Sequence, residues 1–163
     1  MNLDRRTLLT GTAVLGFAGA FGLWPAKADI SRVGAYKLTD AEWRKKLSPL
    51  AYNVLRHAAT ERAGTSPLLE EHRKGTFTCA GCDLKLFDSS TKYDSHTGWP
   101  SFWKPLPQAI GTSTDEELGY QRTEVHCRRC LGHLGHVFDD GPAPTGKRYC
   151  MNGVALGFVA KGA

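Results

Sequence analysis

Five cysteines are the residues of this 163-residue chain best suited to chemistry. Four of them form two CxxC pairs, Cys79 with Cys82 and Cys127 with Cys130. A spacing of two residues lets one tight turn direct both sulfurs at a single ion, and two such turns complete a tetrahedral four-thiolate zinc site. Two redox pairs or two disulfides are the alternatives. We expect one structural Zn²⁺ per chain, because four thiolates leave no position for a substrate.

Cys150 has no partner once the metal has its four ligands. A leftover thiol is either a small buried hydrophobic residue or a reactive group. Its surroundings favour reactivity, because Arg148 stands two residues before it and His133 and His136 lie upstream. A cation and nearby imidazoles stabilise the thiolate, which is the form that attacks. Taken alone, the two histidines could equally be metal ligands or structural residues.

Three longer motifs accompany the CxxC pairs in a fixed order. They are GWPSF at 98–102, HLGHVF at 133–138 with DGP at 140–142, and RYCMN at 148–152. Together they resemble the methionine-R-sulfoxide reductase (MsrB) family over about Lys37 to Val159. The resemblance implies a mainly β fold, the β-tent of two antiparallel sheets with short N-terminal helices and a structural four-cysteine zinc site. It also implies a thiol-dependent oxidoreductase that acts on methionine-R-sulfoxide in proteins.

The resemblance assigns roles to individual residues. Cys150 would attack the sulfoxide sulfur, and a histidine would protonate the oxygen as its bond to sulfur breaks. His133, His136 and Asn152 would line the polar side of the site, with His136 the expected proton donor. Trp99, which composition alone would assign to core packing, would hold the methyl group. The residues expected to bind the substrate or to tune the thiol are Trp99, Phe138, Asp140 and Arg148.

Two positions depart from the pattern of the family. Thr97 stands where many members have a second, resolving cysteine, and the chain has no spare cysteine elsewhere. The sulfenic acid of Cys150 should therefore be reduced by an external thiol, either a thioredoxin-like partner or a small thiol. Asp139 replaces a proline that often precedes the Asp-Gly-Pro turn, which adds a carboxylate near the proposed site.

The elements that position these residues can be predicted in outline. Thr39 and Glu42 have the spacing of a capping box and open a short helix that ends near Leu47. Ser48-Pro49 begins a second helix, whose apolar face should pack on a sheet. From Thr76 onward short apolar runs predict strands. The candidates are Thr76–Ala80, Lys85–Phe87, Gly119–Cys127, His136–Asp139, Arg148–Met151 and Val154–Val159.

Residues 1–28 have the composition of a signal peptide. Arg5-Arg6 precedes a small, apolar stretch, and Ala26-x-Ala28 suits cleavage before Asp29. An uncleaved membrane anchor is the alternative. The pattern predicts export by the twin-arginine route to the periplasm and a single domain over 29–163.

Charge excludes one class of partner. Two of the five net positive charges fall within 1–28, and the remaining Lys and Arg are interleaved with Asp and Glu. We therefore expect no nucleic acid partner and, for a single small domain, a monomer. A non-catalytic zinc-binding module for protein interaction is the rival interpretation, and it gives no reason for the surroundings of Cys150.

Overall fold

The computed structural model describes residues 34–162. Its first elements are two short helices, α1 over Asp40–Lys46 and α2 over Pro49–His57. Both predicted caps are confirmed: the Thr39 side chain accepts from the N–H of Glu42 in a reciprocal capping box, and the Ser48 side chain accepts from the N–H of Ala51. Within the described range no helix has the length and apolarity needed to cross a membrane. The predicted signal peptide lies outside that range.

Nine strands follow in the described part of the chain. They are β1 Gly75–Cys79, β2 Lys85–Asp88, β3 Lys92–Tyr93, β4 Ser101–Phe102, β5 Ile110–Asp115, β6 Arg122–Cys127, β7 His133–Phe138, β8 Arg148–Met151 and β9 Leu156–Ala160. Three strands form one sheet in the order β2-β1-β9, and six form another in the order β3-β4-β8-β7-β6-β5. Every neighbouring pair is antiparallel. The expected mainly β fold of two antiparallel sheets is confirmed.

Some strand bounds were predicted wrongly. The sequence gives no apolar alternation for β5, because no residue of this edge strand of the larger sheet is buried. Residues 119–121 precede β6 instead of belonging to it. β7 begins at His133, three residues before its predicted start. The last predicted strand begins with a 3₁₀ turn, Gly153–Ala155, before β9.

The two sheets meet through aromatic rings. Phe102 of β4 stacks on Phe87 of β2 with ring centroids 4.2 Å apart, and it meets the edge of Phe77 of β1 at 4.9 Å. All three rings are fully buried, which contributes roughly 1.5–3 kcal/mol for each side chain. Helix α2 covers the larger sheet at β7, with Val54 and Leu55 buried, so the helices pack on a sheet as expected. β7 and β8 are thereby held in the interior of the fold.

Candidate active site and metal centre

The four paired cysteines meet in one buried cluster. Their sulfurs all lie within 4.8 Å of one another. Sγ of Cys79 lies 3.6 Å from Sγ of Cys130, and Sγ of Cys82 lies 3.5 Å from Sγ of Cys127. A tetrahedral zinc ion with bonds of about 2.3 Å separates its sulfurs by about 3.8 Å, whereas a disulfide needs about 2.05 Å. The cysteines are unbonded to one another, and their arrangement fits a metal ion.

The two CxxC turns have the same backbone geometry. The N–H of Asp83 donates to the carbonyl of Cys79 at 2.8 Å, and the N–H of Leu131 donates to the carbonyl of Cys127 at 2.9 Å. Asp83 and Leu131 both adopt the left-handed conformation that closes such a turn. One turn joins β1 to β2 in the smaller sheet, and the other joins β6 to β7 in the larger sheet. A metal ion in the cluster would therefore connect the two sheets.

Electrostatics within the cluster also calls for a cation. Hydrogen bonding with Cys127 raises the pKa of the Cys79 thiol and lowers the pKa values of Cys82 and Cys130. Sulfurs this close cannot all become thiolates unless a positive ion balances their charge. The donor set, four soft sulfurs in tetrahedral proximity, matches the preference of a structural zinc site.

Cys150 lies apart from the cluster, half-buried in β8. It lines a cavity of about 130 Å³, smaller than the roughly 300 Å³ at which pockets for whole small molecules begin. The other lining residues are Thr60, Trp99, Arg122, Gly135, His136, Phe138 and Asn152. A larger groove of about 540 Å³ also borders Trp99 but does not include Cys150. The cavity at Cys150 has the size of the end of one side chain.

Strand register brings His136 beside Cys150. In the larger sheet His136 of β7 pairs directly with Cys150 of β8, so both side chains lie on the same face. Nε2 of His136 lies 2.6 Å from a carboxylate oxygen of Asp115, and the same oxygen accepts from Nη2 of Arg122 at 2.5 Å. Hydrogen bonds from the Glu117 backbone and from His136 lower the pKa of Asp115 to about 2. Asp115 is therefore a carboxylate that orients the imidazole.

His133 lies behind this group. Its ring meets His136 edge-on at 5.3 Å, but it lines a separate cavity together with Glu124 and Asp115. Nδ1 of His133 lies 2.8 Å from Glu124, and Nε2 is buried with no hydrogen-bond partner among the described residues. The structure thus brings together Cys150 and His136 in one cavity and leaves His133 outside its lining.

Asn152 and Trp99 are held by one buried acid, Glu61. The backbone N–H of Glu61 donates to the Asn152 side-chain oxygen at 2.9 Å, and the carbonyl of Glu61 accepts from Nε1 of Trp99 at 3.2 Å. The Glu61 carboxylate accepts the N–H groups of Gly153 and Val154, which begin the 3₁₀ turn after Asn152. Asn152 also donates to the backbone, so its amide fixes the wall of the cavity.

Arg148 and Asp140 form an ion pair at the edge of the site. Nε and Nη2 of Arg148 donate to the two carboxylate oxygens of Asp140 at 2.8 and 2.7 Å. The guanidinium of Arg148 lies over the ring of Phe138, 4.3 Å from its centre. Phe138 lines the cavity, but Arg148 and Asp140 do not. Asp139 is exposed and paired with Lys147, which directs its added carboxylate toward solvent.

Sequence reasoning missed Thr60, Arg122 and Gly135 as lining residues. Of these, Gly135 leaves a signal in the HLGH motif: a Cβ there would lie 2.1 Å from the carbonyl oxygen of Cys150. A glycine between the two histidines therefore lets β8 approach β7. Thr60 and Arg122 have no comparable signature.

Comparison with known proteins gives the family. The profile of the SelR domain matches residues 47–160. The chain is 52% identical over 124 residues to "Peptide methionine sulfoxide reductase MsrB" of Thiobacillus denitrificans, covering 76% of this chain and 94% of that protein. This chain belongs to the MsrB family. Proteins of the same name from Methylibium petroleiphilum and Methanosarcina barkeri are 50% and 48% identical over 121 and 125 residues. These matches cover 74% and 76% of this chain and 88% of each relative.

Within this MsrB family member, Thr97 occupies a position beside the sulfur of Cys150. Oγ1 of Thr97 lies 3.8 Å from Sγ of Cys150. All other cysteines of the chain belong to the buried cluster. A second thiol within reach of Cys150 is therefore absent from the described residues, and the hydroxyl of Thr97 lies beside Sγ instead.

Proposed function

We propose that this protein reduces methionine-R-sulfoxide in oxidised proteins, with Cys150 as the nucleophile. The observation that carries the proposal is the small cavity in which Cys150, Trp99 and His136 meet. An indole ring is a favourable neighbour for the methyl and sulfur of methionine. The dimensions of the cavity suit the end of a methionine-sulfoxide side chain presented by a polypeptide. The family relation supports the same activity.

The reaction transfers one oxygen atom from substrate to enzyme. The Cys150 thiolate attacks the sulfoxide sulfur and forms a sulfur–sulfur bond, and the oxygen takes up a proton as its bond to the substrate sulfur breaks. Attack of that oxygen on Sγ of Cys150 then breaks the sulfur–sulfur bond and forms the S–OH group. Substrate sulfur gains two electrons and becomes the thioether of methionine. Cys150 loses two electrons and becomes a sulfenic acid. Two equivalents of external thiol then restore Cys150 and release water, because Thr97 offers no sulfur for an internal disulfide.

His136 is the residue best placed to supply the proton. Asp115 is ionised and binds Nε2, so Nε2 carries a hydrogen and Nδ1 is left for the substrate. A neutral ring would offer Nδ1 only as an acceptor, so proton donation requires the imidazolium. Burial lowers the pKa of His136, and the hydrogen bond to Asp115 opposes that shift. The pKa of His136 therefore lies below its ordinary value, so the imidazolium is favoured by acidic pH, and the paired carboxylate limits the loss of that form.

The remaining parts of the proposal concern the metal and the place of action. Cys79, Cys82, Cys127 and Cys130 would hold a Zn²⁺ ion whose role is structural, because four thiolates close its coordination. The twin-arginine pattern predicted in residues 1–28 supports export to the periplasm, where the substrates would be oxidised exported proteins. The protein would act as a monomer, and its reductant would be a thioredoxin-like protein or a small thiol.

Separated epimers of a blocked methionine sulfoxide give the decisive test. With dithiothreitol as reductant, we expect the R epimer to be converted to methionine and the S epimer to remain, because ring, imidazole and thiolate fix the positions of the methyl group, the oxygen and the sulfur. Chromatography of the remaining epimers measures both rates. Consumption of the S epimer alone would refute the proposal, and a protein that converts neither epimer would favour the non-catalytic alternative.

Asp115→Asn should change the pH dependence of the reaction. The carboxylate raises the pKa of His136, so its loss lowers that pKa and reduces the imidazolium fraction at any given pH. We expect the alkaline limb of the kcat profile to move about one pH unit or more toward acid. Initial rates between pH 5 and 9 measure the shift.

Glu116→Gln is the matched control for Asp115→Asn. It removes an exposed carboxylate from the neighbouring position and should keep the wild-type profile. An unchanged alkaline limb in Asp115→Asn, or an equal shift in the control, would remove His136 from the role of acid.

A further inference from the structure

Three hydroxyl groups form a continuous hydrogen-bonded chain that ends at the sulfur of Cys150. Oγ1 of Thr97 lies 3.8 Å from Sγ of Cys150 and 2.8 Å from Oγ of Ser95. Oγ of Ser95 lies 2.7 Å from Oγ of Ser101, which in turn donates to the carbonyl oxygen of Trp99 at 3.1 Å. Ser101 is fully buried, and Ser95 and Thr97 are half-buried. We call Thr97, Ser95 and Ser101 the hydroxyl chain.

The number of protons fixes the direction of the hydroxyl chain. A carbonyl can only accept, so the proton of Ser101 points to Trp99. Each hydroxyl has one proton to donate, so Ser95 must donate to Ser101 and Thr97 must donate to Ser95. Thr97 then has only lone pairs to offer to Cys150. In this direction every contact is satisfied when Cys150 is a thiol that donates its S–H to Thr97.

Ionisation of Cys150 reverses the requirement. A thiolate has no proton and can only accept hydrogen bonds. A hydrogen bond to an ionised group is stronger than a hydrogen bond between neutral groups. Thr97 can donate to the thiolate if Ser95 turns to donate to Thr97 and Ser101 turns to donate to Ser95. The carbonyl of Trp99 then loses the proton of Ser101. The protonation state of Cys150 is thereby linked to the backbone of the tryptophan that lines the same cavity.

We propose that the hydroxyl chain is a positioning device in which Thr97 turns its proton to the Cys150 thiolate, at the cost of the bond from Ser101 to Trp99. The proposal rests on the proposed function in that it takes Cys150 as the nucleophile. It gives Thr97 a role of its own at the position where no resolving cysteine exists.

The charged and titratable groups round Cys150 come from five strands. They are Tyr93 of β3, Arg122 of β6 and His136 of β7 with their shared partner Asp115 of β5, and Arg148 of β8 with its partner Asp140. None of these residues belongs to the hydroxyl chain, so substitutions of Thr97, Ser95 or Ser101 leave these charges in place. A change in the ionisation of Cys150 in such variants therefore reports on the hydroxyls.

The test compares the pH dependence of Cys150 alkylation in three variants of the full chain. The rate of iodoacetamide addition is followed by the mass of the peptide that contains Cys150, and circular dichroism checks the fold of each variant. Thr97→Val removes the donor to the thiolate, and we expect the midpoint of its profile to rise by about one pH unit. Thr97→Ser keeps the hydroxyl and should restore the wild-type midpoint.

Ser95→Ala tests whether the direction of the hydrogen bonds in the hydroxyl chain, and not only the presence of polar groups, controls the ionisation of Cys150. Without Ser95 the Thr97 proton has no competing acceptor, so Thr97 can donate to the thiolate freely. We expect the midpoint to stay at the wild-type value or to fall. A midpoint that rises in Ser95→Ala, stays unchanged in Thr97→Val or is not restored in Thr97→Ser would overturn the proposal. Because no sulfoxide is present, a failed epimer assay would leave this result intact, and the reverse also holds.

Discussion

A Cys150→Ser variant should reduce the R epimer of a blocked methionine sulfoxide roughly a thousandfold or more slowly than wild type. A serine hydroxyl is scarcely ionised at neutral pH, and its oxygen is a far weaker nucleophile toward sulfur than a thiolate. No other cysteine can substitute, because the remaining four are buried together in the cluster. The values of kcat/KM with saturating dithiothreitol measure the loss.

A single turnover without reductant separates chemistry from recycling. Wild type should form at most one methionine per chain and one sulfenic acid that a dimedone-type reagent traps on Cys150. The serine variant should form neither. Wild type alkylated at Cys150 is the matched control and should be equally inactive. Activity of Cys150→Ser within tenfold of wild type would exclude Cys150 as the nucleophile.

The residues that sequence reasoning located well are those whose chemistry depends on short spacing. Each CxxC pair forms the same type of tight turn, which depends only on local sequence. The sulfurs of Cys79 and Cys130 meet although 50 residues lie between them. The caps at Thr39 and Ser48 are equally local, because each depends on residues within one turn. Such features can be predicted from one sequence.

The partners of His136 could not be predicted in the same way. Asp115 ends β5, an edge strand whose exposed side chains give no apolar pattern, and Arg122 begins the next strand after a turn. Their ion pair with the histidine exists only because β5, β6 and β7 are neighbours in the sheet. In the sequence both residues read as ordinary surface charge. The contact of these two residues with His136 follows from the order of the strands in the sheet and not from their spacing in the sequence.

Burial accounts for the other differences. Glu61 stands between Thr60 and Arg62 in a polar stretch, yet it is 4% exposed and fixes both Asn152 and Trp99. His133 shares a motif with His136, but the alternation and the bulge of β7 against β6 place it behind the site. A motif predicts that two histidines are near the thiol. Only the fold decides which of them lines its cavity.

A Cys127→Ser variant should lose zinc and, with it, much of the free energy of folding. Three thiolates with no fourth ligand bind the metal poorly, and the free energy of metal binding is part of the free energy of folding. The cluster joins the turn after β1 to the turn after β6, so its loss releases both sheets at one point. We expect the zinc content to fall from about one per chain to near zero and Tm to fall by more than about 10 °C.

Elemental analysis and thermal unfolding followed by circular dichroism measure these changes, and Cys150→Ser is the matched control. The control removes a sulfur outside the cluster and should keep one zinc and the wild-type Tm. The two variants therefore separate chemistry from structure: one loses turnover with the metal retained, and the other loses turnover because β7 no longer holds His136 against Cys150. A Cys127→Ser protein with a full zinc content and an unchanged Tm would contradict the structural role of the metal. Unfolding of the wild-type protein by dithiothreitol alone would indicate that the four cysteines form disulfides instead.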